Sequence, residues 1–269
     1  MSEARPEGYL SVYDEIPPVR PHCALSAIVQ GASKAGKSSL LNTSFPPRLL
    51  IDAEMAYRFL PGVKVFWDPK TEAPPKHTGL WETCVVIVRE YADMAKAYEW
   101  LNSGQHDFRS LNIDSISEVQ SRCRDKMTAS GQMNQQLWGD LLYEMDKLVR
   151  GFRDLTEHPT HPMETVFLSA MTQMKDGKYR PYVQGQLQVK LPYFLDVIGY
   201  LYVAQVPNPD DPTQPATARR QMLVEPHDSF EAGNRVQGKL PNPVVNPTIP
   251  GMLEMVFGPH STTQDNKEQ

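Results

Sequence analysis

Cysteine is scarce in this chain: three among 269 residues, Cys23, Cys84 and Cys123, far apart and with no C-x-x-C pair. That spacing excludes a zinc cluster and a disulfide framework, and it points to a reducing interior. Long apolar runs are missing as well. No stretch approaches the ~20 residues that a membrane-crossing helix needs, and the N-terminus (Ser2, Glu3, Arg5, Glu7) lacks the basic-then-apolar form of a signal peptide. The expectation is a cytoplasmic protein without a membrane partner. Basic charge is in short supply too: 27 Lys and Arg stand against 32 Asp and Glu, a net charge of −5. A constitutively basic nucleic-acid coat is thereby excluded, so any DNA contact has to come from local loops and from assembly of many subunits. No internal repeat is visible. With 40% hydrophobic and 22% charged residues, the chain can bury a sizeable core and reads as one domain with appendages.

What is present is sharper. Gly31-Ala32-Ser33-Lys34-Ala35-Gly36-Lys37-Ser38 is a complete G-x-x-x-x-G-K-[ST] phosphate loop. The short apolar run Cys23 to Val29 before it reads as a buried parallel strand, and Ser38-Ser39-Leu40-Leu41 after it can open a helix. Two glycines let the backbone turn tightly, so that successive N–H groups from Gly31 to Ser39 face phosphate oxygens at a helix start. Lys37 would reach the β and γ phosphates, and the Ser38 hydroxyl a magnesium ion. The ligand expected from these residues is ATP with Mg2+.

Along the rest of the chain, residues 1–21 form a proline-bearing polar arm around the alternating Tyr9-Leu10-Ser11-Val12-Tyr13, either folded back on its own domain or docked on a neighbouring subunit. Strands are expected at Leu49 to Glu54, Val63 to Trp67, around Val85 to Val88, at Phe108 to Ser115, Thr165 to Ala170, Val197 to Val206 and Gln221 to Val224. Helices are expected over Ala92 to Asn102 and Asn134 to His158, the latter with apolar positions at intervals of 3 or 4. Prolines recur from 238 to 250 and the last dozen residues are polar. The resulting division is an arm (1–21), a core (22–240) and a proline-rich, partly disordered tail (241–269). Strands alternating with helices predict an α/β fold: a mostly parallel central sheet flanked by helices, with an antiparallel extension at one edge.

Polar groups at the carboxyl ends of such strands line the ligand crevice. Asp114, at the end of an apolar strand, is the candidate for the metal-side aspartate. Glu54, at the end of a strand expected beside the phosphate-loop strand, is the candidate base that orients the attacking water.

The segment Leu50-Ile51-Asp52-Ala53-Glu54 resembles the I-D-A-E segment of bacterial RecA recombinases, and Asn112-Ile113-Asp114-Ser115 the end of their metal-binding strand. The likeness is closer to the short, core-only RecA-like proteins of bacteriophages, the Sak class of single-strand annealing proteins and phage nucleotide-binding AAA proteins. Their D-F-x-x-L-x-I-D-S strand resembles Asp107 to Ser115, and their L-P-x-x-x-D segment Leu191 to Asp196. This resemblance implies a RecA-like P-loop ATPase, DNA-stimulated, acting on single-stranded DNA in annealing or strand exchange. It also implies homo-oligomers as filaments or rings, a single-strand DNA-binding protein as a further partner, and a bacterial host cytoplasm. A phage replicative helicase or helicase loader, or an NTP-dependent regulatory switch without DNA affinity, are the alternatives. A small-molecule kinase fits least, since Arg219-Arg220 is too little for an arginine-rich lid.

By the same resemblance, residues 174–188 occupy the place of a DNA-binding loop. There Lys175, Lys178 and Arg180, interleaved with Tyr179 and Tyr182, offer phosphate neutralisation and base stacking. Ala232-Gly233-Asn234-Arg235 resembles the segment that reaches the next subunit's γ-phosphate, which makes Arg235 a candidate trans arginine finger. The Asn-Gln sensor pair of RecA has no clean match after Phe167-Leu168-Ser169-Ala170-Met171-Thr172, which leaves Gln173 as a candidate. No equivalent of the adenine-stacking tyrosine is identified.

Overall fold

The computed structural model describes residues 23–128, 132–206 and 216–259. The N-terminal arm with Tyr9 to Tyr13, the loop 207–215 and the last ten residues lie outside the described residues.

The chain runs through β1 (Leu25–Gln30), α1 (Lys37–Leu41), β2 (Arg48–Asp52), β3 (Lys64–Phe66), β4 (Thr83–Ile87), α2 (Tyr91–Asn102), β5 (Ser110–Asp114) and α3 (Ile116–Thr128). Next come α4 (Gln135–Asp154), β6 (Thr165–Ala170), the pair β7 (Thr172–Lys175) and β8 (Lys178–Pro181), and α5 (Leu187–Phe194). It closes with β9 (Val197–Val206), β10 (Thr217–Leu223), β11 (Gly233–Asn234), β12 (Val244–Val245) and α6 (Ile249–Phe257). A ten-stranded sheet has the order β12-β10-β9-β1-β6-β5-β2-β4-β3, with β11 on β9. From β9 to β3 every pairing is parallel; β10 and β11 add to β9 antiparallel, and β12 to β10 likewise. The expected α/β architecture with its antiparallel edge is therefore present.

The central strands are buried on both faces, which is why they read as mostly apolar runs without alternation. Alternate side chains feed two cores. Ile28, Ile51, Ile113 and Leu168 pack with Met94, Val119, Met145 and Leu191 beneath α2 to α5. Leu25, Ala27, Val29 and Phe167 pack on the other face with Leu40, Leu41, Met252 and Leu253 of α1 and α6. Among the described residues no helix is long and apolar enough to cross a membrane.

The expected tail is corrected over 244–257. β12 pairs with β10, and Ile249, Met252, Leu253 and Val256 of α6 are buried, at about 1.5–3 kcal/mol each. The prolines mark boundaries there instead of preventing structure: Pro250 lies in the first turn of α6, where its missing N–H leaves no gap, and Thr248 Oγ1 caps that turn by accepting from Gly251 N (3.2 Å). Two further differences concern the middle of the chain. α3 escaped the pattern reading because its buried face mixes Ile116, Val119 and Cys123 with Ser117 and Gln120. The stretch read as a single loop at 174–188 is an antiparallel hairpin, β7 and β8, turning through Asp176 and Gly177 (φ 51° and 76°) as two-residue hairpins do, and then the start of α5.

Candidate active site

The phosphate loop leaves β1 at Gly31 and enters α1 at Lys37, at the carboxyl-terminal rim of the sheet. Gly31 has no alternative: a Cβ there would lie 2.3 Å from the Leu201 carbonyl oxygen on the neighbouring strand β9. Gly36 takes the left-handed conformation, φ 99°, which side chains resist. Lys37 Nζ donates to the carbonyls of Gly31 (3.0 Å) and Ala32 (3.1 Å). Burial lowers the ammonium pKa, and the charges of Glu54 and Asp114 oppose that shift. The two carboxylates therefore share one cleft with the cradle.

Asp114 ends β5 and is 1% exposed. Its Oδ1 accepts from Ser169 Oγ on β6, the strand between β1 and β5, and its buried Oδ2 has no partner among the described residues. Glu54 lies two residues past β2, and here an expectation is corrected: β2 is not beside the phosphate-loop strand, because β6 and β5 stand between them. Glu54 reaches the site by leaning over the end of β5. Ala53 N donates to the Asp114 carbonyl (2.7 Å), and Glu54 Oε1 accepts from Ser115 Oγ. Partial desolvation raises the Glu54 pKa; the Ser115 hydroxyl and Lys37 pull it down, and Asp114 and Glu118 push it up. A carboxyl tuned upward beside a phosphate site suits a proton acceptor.

Asp52 carries no assigned role in the sequence pattern. Fully buried at the end of β2, it accepts from Glu54 N (2.9 Å) and Tyr57 N (2.7 Å), which fixes the turn that carries Glu54. Burial raises its pKa, against the pull of the Tyr57, Ala56 and Glu54 N–H groups. Ser169 and Gln30 carry no signal in the sequence beyond a polar residue at or next to the end of a mostly apolar strand. Gln30, the last residue before the loop, is fully buried. Its Nε2 donates to the carbonyls of Glu231 (2.8 Å) and Tyr179 (3.3 Å), and its Oε1 accepts from Thr172 Oγ1 (2.9 Å).

Gln30 thus ties the phosphate loop to the β7–β8 hairpin, which holds the candidate DNA contacts. Lys175 is exposed at the tip, and Tyr182 is 38% exposed beyond β8. Lys178 and Arg180 both approach Glu231 (3.9 and 3.8 Å). Tyr179 stacks on Phe230 (5.5 Å between centroids), which meets Tyr200 (4.0 Å), followed along β9 by Tyr202 (6.2 Å). Gln173 pairs with Arg180 across the hairpin. Arg235 is elsewhere. It follows β11 at the amino-terminal end of β9, where Asp196 accepts from its side chain (3.4 Å), on the rim opposite its own phosphate loop.

The AAA domain family AAA_24 matches residues 24–236. No curated protein matches the chain. Among solved structures, the chain is similar to a prototypical ATPase from the type III secretion system of pathogenic bacteria, at 15% identity and a TM-score of 0.41. The alignment covers 66% of this chain and 52% of that one, so the chain spans about half the length of the solved structure. With a phosphate loop near its start and a family match over most of its length, the chain belongs to the AAA domain family.

Proposed function

We propose that the chain is a RecA-like ATPase that works on single-stranded DNA, in annealing or strand exchange, as the core-only RecA-like proteins of phages do. The observation that supports this most is the Gln30 junction: one buried side chain, on the strand that opens the phosphate loop, binds the hairpin that bears Lys175, Lys178 and Arg180, with Tyr182 just beyond it. A change at the γ-phosphate has a short covalent and hydrogen-bonded route to a surface with cationic and aromatic groups, the two ingredients of sequence-tolerant strand binding.

In the ATPase step, Lys37 and the loop N–H groups hold the phosphates. The residues fit a magnesium ion: the unpartnered, buried Asp114 Oδ2 and the Ser38 hydroxyl are hard oxygen donors of the type that ion takes. When bound, magnesium neutralises charge on the transferring phosphoryl group. Glu54, held through Ser115 and Asp52, orients the attacking water. Arg235, on the far rim of its own subunit, serves a neighbour's site in an oligomer and gives up Asp196 to do so.

The test is the ATPase rate with and without oligothymidine, beside Lys37→Ala. Stimulation in the wild type, lost in a Lys178→Ala/Arg180→Ala variant that keeps its basal rate, is the expected outcome. A rate indifferent to DNA refutes the reading and leaves a nucleotide switch.

A further inference from the structure

The two glycines of the phosphate loop are walled by the same antiparallel ribbon. Leu201 of β9 closes on Gly31, and β10 sends Arg220 onto Gly36: a Cβ at Gly36 would lie 2.6 Å from Arg220 Nε and 3.0 Å from its Cζ. The backbone of Arg220 is anchored, since its carbonyl accepts from Asn246 N (2.7 Å) and its neighbours Gln221 and Met222 pair with β12. Its side chain is exposed and makes no ion pair or hydrogen bond among the described residues.

That is an unusual resting place for a guanidinium. The nearest ionic partners in the cleft, Glu54 and Asp114, act on Lys37, and no carbonyl of the loop accepts from Arg220. Two cations converge on one loop, and Arg220 has no carboxylate partner among the described residues. A guanidinium fork is suited to two oxygens of a phosphate, and such charged bonds are among the strongest in proteins.

We propose that Arg220 is a nucleotide-binding residue, taking the polyphosphate of the bound nucleotide from the side opposite Glu54 and Asp114. It rests on the phosphate loop holding a nucleotide, and it gives the β9–β10 ribbon a role in the site.

The experiment compares the affinities of ATP and of inorganic tripolyphosphate, with magnesium and without DNA, for the full chain and for Arg220→Ala, Arg220→Lys and Lys37→Ala. Arg220→Ala is expected to weaken both ligands alike, by about 10- to 100-fold for the loss of a charged hydrogen-bonding partner, with Arg220→Lys recovering part of it. Thermal unfolding without ligand should be unchanged, as the side chain is exposed. Tripolyphosphate binding that Arg220→Ala leaves intact overturns the proposal, whether or not ATP is weakened, since a loss confined to ATP assigns Arg220 to the base. If Lys37→Ala also leaves both affinities intact, the cradle itself is misassigned. Loss in Lys37→Ala with none in Arg220→Ala overturns this proposal alone.

Discussion

Asp52→Asn separates the alignment of the water-orienting base from the binding of nucleotide. The carboxylate accepts two backbone N–H groups, from Glu54 and Tyr57. An asparagine has one oxygen for the two and turns its NH2 toward the other, so one buried donor loses its acceptor, a cost of about 1–3 kcal/mol. Removing a carboxyl whose pKa burial pushes up returns part of that, so the net loss of stability is expected near 1 kcal/mol by the same reckoning. Activity suffers more. The released N–H groups loosen the turn that carries Glu54, and misplacement of about 1 Å costs on the order of 100-fold in rate. The cradle lies on β1, beyond β6 and β5, and keeps its geometry. We expect kcat to fall about 10- to 100-fold while the ATP dissociation constant moves less than about two-fold, a split diagnostic of lost transition-state alignment. Steady-state ATPase kinetics beside equilibrium ATP titration and urea unfolding measure all three quantities. Affinity falling in step with kcat, or kcat unchanged, would refute the clamp.

Glu54→Gln should bind ATP and lose about 100- to 10,000-fold in hydrolysis; since the Glu54 pKa is raised, the wild-type rate should climb with pH as the carboxylate forms, and a wild-type profile flat through that rise counts against a base at this position. Glu231→Gln frees Lys178 and Arg180 and is expected to tighten oligothymidine binding with a steeper salt dependence; unchanged affinity in a fluorescence-anisotropy titration speaks against these two cations as DNA contacts. Acid should weaken the fold through His106, 4% exposed, whose pKa burial, helped by His161, lowers from 6.5 to about 4. Because the folded value lies below the unfolded one, the neutral ring contributes stability in full above pH 6.5, and that contribution is lost as pH falls toward 4, about 2 kcal/mol between pH 7 and pH 5. His106→Gln flattens this slope in urea unfolding, and an unaltered slope rules His106 out as its source.

The phosphate loop could be read from the chain because everything it needs is local: a strand end, two glycines free to turn, a lysine and hydroxyls at a helix start. The strands were legible for a related reason, as burial on both faces leaves mostly apolar runs, and Asp114 and Glu54 stood out because strand ends face the crevice. Strand order is another matter. That β6 and β5 separate β2 from β1, and that Glu54 reaches the cleft over the end of β5, depends on which faces bury together, and no spacing encodes it. Gln30 meets partners some 140 to 200 residues away, and Asp52 looked like any strand end until its two N–H partners were placed. The proline-rich segment shows the division most plainly: its composition reads as open chain, yet Ile249, Met252, Leu253 and Val256 find an apolar sheet face to cover. Local backbone chemistry is written along the chain and determined the cradle; contacts between distant segments depend on how the whole core closes, and that closure alone decided which acid, amide and arginine stand around it.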